Sequence, residues 1–175
     1  YVWGRDLKKS ELFSKKMESI YNISVSPVEY AEDAVRKSDL ICTTTSSSEP
    51  ILKGEWVMPG SHINLVGAAV PTSAEADEIL VKKSRFITDY RPAAMAAAGE
   101  LLRAIRNKDV TEDHIVAEIG EVASGKIKGR VNNNEITVYK SLGITAQDLG
   151  AAYLLYNKSI KEGFGTIINM MDYDE

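Results

Sequence analysis

An α/β fold built on a parallel, helix-covered sheet is what this sequence predicts, on three observations. Short apolar runs bounded by turn residues alternate with segments of helical periodicity over the first hundred residues, the pattern of strand–helix–strand units. The run Leu40-Ile41-Cys42 breaks into hydroxyls, Thr43-Thr44-Thr45-Ser46-Ser47-Ser48, and a second apolar run, Ile63-Asn64-Leu65-Val66-Gly67, follows after the turn Pro59-Gly60. Two neighbouring strands that end in small polar residues present backbone and hydroxyls beyond their carboxyl ends, where open parallel sheets bind ligands. A nucleotide site is therefore the leading expectation.

Taken in order, Tyr1-Val2-Trp3 reads as a strand closed by Gly4-Arg5-Asp6. Lys8 to Ile20 places Leu12, Phe13, Met17 and Ile20 on one helical face. Asn22 to Val28 alternates like a short strand, with Pro27 marking an edge. A helix is expected over Ala31 to Lys37 and strands over Leu40 to Thr44 and Ile63 to Val66. Ala74 to Lys83 reads as a helix, Arg85 to Thr88 as a strand, and the Ala-rich run Pro92 to Ile105 as one helix of high propensity. Cys42 is expected in the core.

After Lys108 the pattern changes, and this half is expected to leave the sheet. His114 lies near a helix start, and the loop Ser124 to Asn134 is rich in Gly and Asn. Glu135 to Tyr139 reads as a strand and Thr145 to Lys158 as a helix capped by Thr145, with Asp148 as the weaker carboxylate partner. The predicted organisation is one domain over 1–110 and a C-terminal segment over 111–175.

The chain has 175 residues, of which 44% are hydrophobic, enough to bury a sizeable core. Its 21 basic and 25 acidic residues are interspersed, giving a net charge of −4 and no basic stripe, which argues against a nucleic-acid partner. No apolar run reaches spanning length and no signal-peptide pattern occurs, so no membrane partner is expected. One cysteine fits a reducing, cytoplasmic compartment. His62 and His114 lack Cys or His partners at metal-ligand spacing, so no metal site is expected. The chain opens directly in a strand without an initiator Met, which points to a fragment or a processed piece.

Candidate site residues follow from the strand ends. In a dinucleotide fold, an acidic residue ending the second strand favours NAD, whereas Arg accommodates the additional phosphate of NADP. Gly4-Arg5-Asp6 therefore leans toward NADP(H), with a solvated turn as the competing reading. Thr45, Asn64 and Val66 are candidates for cofactor contact. Lys140-Ser141 precedes a helix whose free N–H groups suit an anion or a polar cofactor edge.

The stretch Ile51 to Ala68, including Gly54-Glu55-Trp56, Pro59-Gly60-Ser61-His62 and Asn64-Leu65-Val66-Gly67, with Ile136-Thr137-Val138-Tyr139-Lys140-Ser141-Leu142-Gly143, resembles the ornithine cyclodeaminase/mu-crystallin family. Glu118-Ile119-Gly120-Glu121 and the segment Asp148 to Tyr156 add to the likeness. The resemblance implies a Rossmann-type parallel sheet with helices on both faces. It also implies that the C-terminal segment belongs to a second α+β domain for substrate and dimerisation. The implied activity is NAD- or NADP-dependent oxidoreduction at C–N bonds by a homodimer, as an imine or ketimine reductase or an amino-acid dehydrogenase acting on a small imine or amino acid.

Carried over by position, Gly4, Arg5, Asp6, Thr45, Ile63, Asn64, Leu65, Val66 and Ser141 fall at cofactor-contacting places, and Leu142 borders the substrate. Catalytic residues are not assigned. Cyclodeaminases carry an Asp where this chain has Ala69, and alanine has no side-chain proton to exchange. Ornithine cyclodeaminase and a non-catalytic crystallin-like NADP-binding protein therefore stand as alternatives to the reductase. Family members are roughly twice this length. Their N-terminal domain, Gly-rich loop and substrate-carboxylate clamp would lie outside this chain, and the isolated piece is expected to be inactive.

Overall fold

The computed structural model describes residues 1–168. It divides into two compact units, Tyr1–Leu142 and a second from Gly143 onward.

In the first unit, helix α1 (Leu7–Tyr21) opens on Asp6, whose side chain accepts from Lys9 N, and closes on Asn22 in the left-handed region at φ 52°. Helix α2 spans Ala31–Arg36. Strand β1 (Leu40–Thr43) pairs in parallel with β2 (His62–Leu65). Helix α3 (Glu78–Lys83) is capped by Asp77, which accepts from both Leu80 N and Gly54 N at 2.9 Å. Then come β3 (Ser84–Thr88), α4 (Arg91–Ala97), α5 (Gly99–Arg106), β4 (Ile115–Glu118), α6 (Ile119–Ala123) and β5 (Ile136–Lys140).

The five strands form one parallel sheet in the order β1-β2-β5-β3-β4. The chain leaves a one-strand gap between β2 and β3 and fills it last, with β5. Ile63, Leu65, Phe86 and Val138 on one face form a dry core with Leu80 and Val81 of α3 and Leu101 and Ala104 of α5. Fully burying a side chain the size of Phe86 contributes about 1.5–3 kcal/mol. On the opposite face, Ile119 and Val122 of α6 approach Thr137 and Tyr139, so helices lie on both faces.

Several expectations are corrected. The region after Lys108 does not leave the sheet: β4 and β5 belong to it, and the compact unit runs to Leu142 rather than ending near 110. Thr137 and Val138 are buried on opposite faces, which is a central strand's signature. Tyr1-Val2-Trp3 and Asn22 to Val28 make only a single parallel bridge, Val2 to Pro27, closed by Val2 N donating to Ser26 O and Val28 N to Val2 O, both at 2.9 Å.

The Ala-rich run is two helices broken at Ala98 (φ −76°, ψ 90°). A Cβ on Gly99 would lie 1.9 Å from Ser73 O, so the close approach at the break admits only glycine. Ala74, Glu75 and Ala76 precede α3 rather than starting it, because Ala76 bridges Leu52. Cys42 is exposed, since it faces outward on a strand whose buried residues are Ile41 and Thr43. Leu12, Phe13 and Ile20 are exposed on α1, which buries Ser10 and Ser14 instead.

In the second unit, helix α7 (Thr145–Glu162) begins after Ile144 with no side-chain cap, so Thr145 is its first helical residue and not its cap. The stretch 169–175 of the expected C-terminal segment lies outside the described residues.

Candidate functional site

Parallel register aligns the ends of four strands. Thr43 pairs with Leu65, Leu65 with Lys140, and Lys140 with Thr88, so the chain leaves the sheet along one row. The ladder continues one residue past each end: Val66 N donates to Thr43 O at 3.0 Å, Ser141 N to Leu65 O at 3.0 Å, and Asp89 N to Lys140 O at 3.3 Å. Thr45, Val66, Ser141 and Leu142 thus all stand just beyond neighbouring carboxyl ends, where a parallel sheet binds ligands.

At the β1 end of this row a cleft of about 300 Å³ is lined by Trp3, Gly4, Arg5, Thr45, Ser47 and Ile51, among others. It combines a guanidinium, hydroxyls and a glycine beside an aromatic ring. Gly4, Arg5 and Thr45, separated by 40 positions in the chain, share this wall. Asp6 does not join them, since its carboxylate caps α1. Ile63 and Leu65 have no exposed surface, so their side chains belong to the core and only backbone atoms could meet a ligand. Leu142 is partly buried against the core, and its N–H donates to Asp89 Oδ2 at 2.6 Å.

Asn64 lines a different cavity, of about 380 Å³, with His62, Arg130, Thr137 and Tyr139. His62 Nδ1 shares a hydrogen bond with Thr137 Oγ1 at 2.7 Å, and Nε2 with Asn64 Oδ1 at 3.3 Å. Burial holds the imidazole below its ordinary pKa, the Asn64 bond opposes that shift, and the Arg130 charge adds to it. His114 is structural: Nε2 meets Val81 O at 2.6 Å and the ring leans on Phe86.

Beneath the strand ends lies a buried polar arrangement, centred on Glu75 and Glu100, that the sequence reading missed. The Glu75 carboxylate, fully buried, accepts from Thr43 Oγ1 (2.7 Å), Thr45 N (2.6 Å), Thr45 Oγ1 (2.8 Å) and Gly67 N (2.8 Å). Glu75 N in turn donates to Glu100 Oε1 at 2.9 Å. Glu100 sits in the first turn of α5, where the helix dipole favours a carboxylate. Lys140 Nζ lies 3.7 Å from Glu100 Oε1 and donates to Ala68 O. Lys140 is thus not at the mouth of a helix facing an anion: it is the last residue of β5, with its side chain sealed inside. The one available sequence signal was that Glu75 and Glu100 each sit among small or apolar neighbours, Ala74, Ala76 and Leu101.

A parallel sheet with aligned strand ends and a polar cleft beyond them defines a Rossmann-type α/β domain. The chain belongs to the ornithine cyclodeaminase/mu-crystallin family, whose model matches residues 1–163. It is 37% identical over 156 residues to the ketimine reductase mu-crystallin of Rattus norvegicus, covering 89% of this chain and 46% of that protein. Among solved structures it superposes on the Thermococcus litoralis Δ1-pyrroline-2-carboxylate reductase in complex with NADH and L-proline, with a TM-score of 0.90 and 34% identity. That match covers 95% of this chain and 52% of that one. An archaeal alanine dehydrogenase dimer with bound NAD matches with a TM-score of 0.84 and 33% identity, over 96% and 51% of the two chains. The chain spans about half the length of the relatives it matches.

Proposed function

We propose that the protein of which this chain is part is an NAD(P)-dependent oxidoreductase acting on C–N bonds, of the imine or ketimine reductase or amino-acid dehydrogenase type. The observation that carries this reading is the cleft shared by Gly4, Arg5 and Thr45 at the end of an aligned row of parallel strands. Those residues suit the adenosine side of a dinucleotide. Gly4 offers backbone at the cleft wall, Arg5 offers a charged fork to a phosphate, and Thr45 offers a hydroxyl. Further along the row, backbone at Val66 and Ser141 would meet the remainder of the cofactor, and Leu142 would border the substrate. When bound, the dinucleotide supplies the hydride that reduces an imine carbon, or accepts one from an amine carbon. Ala69 offers no proton for ammonia loss, which favours a reductase or dehydrogenase over a cyclodeaminase.

Kinship with an alanine dehydrogenase dimer supports a homodimer. Helix α7 leaves Leu149, Tyr153, Leu155, Tyr156 and Ile160 exposed, which supports its return to a substrate and dimerisation domain. No helix among the described residues is long and apolar enough to cross a membrane, and a cytoplasmic setting fits the single cysteine.

Fluorescence titration of the full-length protein with NADPH and NADH tests the reading. Tight binding of one or both is expected. Arg5→Ala should weaken NADPH about tenfold or more while moving NADH little, on the scale of a lost charge-assisted contact. Absence of binding to either dinucleotide overturns the proposal. Turnover of cyclic imines, or of keto acids with ammonia, separates an enzyme from a non-catalytic dinucleotide binder on the same scaffold.

A further inference from the structure

We infer that Glu75 is a positioning residue for the dinucleotide site, acting through the two strand-end turns it ties together. The inference rests on the dinucleotide reading above. Its carboxylate is fully buried, with Oε1 bound beyond β1 alone and Oε2 bound both to the last residue of β1 and beyond β2. Oε1 accepts from Thr45 N and Thr45 Oγ1, beyond β1. Oε2 accepts from Gly67 N and, at 3.4 Å, Ala68 N, beyond β2, and from Thr43 Oγ1. The turns it holds are the ones that carry Thr45 and Val66 to the row of strand ends.

Two further observations show that the carboxylate is held in place rather than merely accommodated. Glu75 N donates to Glu100 Oε1, and Glu75 O accepts from Ile51 N and Leu52 N, both at 2.9 Å, so its backbone is fixed from two sides. A Cβ on Gly67 would lie 2.0 Å from Thr45 O and 2.4 Å from Glu75 Oε1, so this packing requires glycine at the β2 turn. Ile51, which lines the Arg5 cleft, is thus tied to the same residue that holds Thr45.

The chemistry makes a sharp distinction between Glu and Gln at this position. A carboxylate accepts on both oxygens, whereas an amide accepts on one and donates from the other. Whichever way the amide of Glu75→Gln turned, its NH₂ would face a backbone N–H, either Thr45 N or Gly67 N. A hydroxyl can rotate to accept instead, but a backbone N–H cannot. One of the two turns is therefore released, while the volume of the side chain is unchanged.

The test uses the full-length protein and its C–N oxidoreductase assay, with NADH and NADPH as probes. Glu75→Gln should raise KM for the dinucleotide about tenfold or more, as expected for one lost charge-assisted bond, with kcat within about twofold. Thr43→Val, which removes one donor from Oε2 and leaves every N–H in place, should move KM the same way by a smaller factor. A merely structural role would instead lower the active fraction, reducing apparent kcat with KM unchanged. If Glu75→Gln fails to fold, Thr43→Val decides. Wild-type protein that binds neither dinucleotide sinks both this inference and the function it rests on. Wild-type binding with KM unmoved in the variants sinks this inference alone.

Discussion

On one face of the sheet Ile63, Leu65, Phe86 and Val138 are sealed beneath α3 and α5. On the other, His62, Asn64 and Tyr139 stand half-buried, and Leu40 and Cys42 of β1 are exposed. Both faces come from the same strands, since successive side chains point to opposite sides. Their difference teaches where each kind of information resides. The closed face carries the folding free energy and the buried charges that shape the strand ends. The open face carries polar groups whose surroundings can change with pH or with a covering partner.

The largest expected effect breaks the closed face. Phe86→Ala should cost about 3–5 kcal/mol, the range for emptying a packed aromatic site, as read by denaturant unfolding of the full-length protein. A loss under about 1 kcal/mol would mean that the face is less tightly closed than its burial indicates.

A smaller effect comes from His62, whose imidazole is held below the ordinary value of 6.5. Between its folded pKa and 6.5 the unfolded chain binds more protons, so stability rises with pH there. The contribution is fully present above 6.5 and is lost as pH falls through the folded value. His62→Gln should flatten this part of the stability–pH curve, and an unchanged slope in that variant would assign the acid limb to other groups. The least effect is expected at the open edge. Leu40→Thr should stay within about 0.5 kcal/mol of wild type in the same unfolding assay. A markedly larger loss would show that this edge is covered in the full-length protein.

Much of the fold was legible locally. Leu40–Thr43, His62–Leu65 and Ser84–Thr88 fall within a residue of the apolar runs that predicted them, because a short apolar run bounded by turn residues marks a strand whether one face is buried or both. Of the candidate site, Arg5 and Thr45 could be nominated because the sequence reads each as following a strand. The burial of Glu75, Glu100 and Lys140 could not be read, because it depends on residues distant in the chain. Lys140 reaches back 72 positions to Ala68 O, and Glu75 reaches 32 to Thr43. Cys42 was misjudged for a related reason: a short apolar strand reads the same at a sheet's edge as at its centre.

By itself, then, the sequence determined the class of fold, the family, and most strand and helix segments, since these follow from local periodicity and from motifs contiguous in the chain. Only the tertiary structure decided that β5 closes the gap between β2 and β3, that Lys140 lies inside, and that Glu75 joins the turns bearing Thr45 and Val66. Those outcomes depend on register between distant segments, and periodicity within one segment carries no information about the partner it will meet.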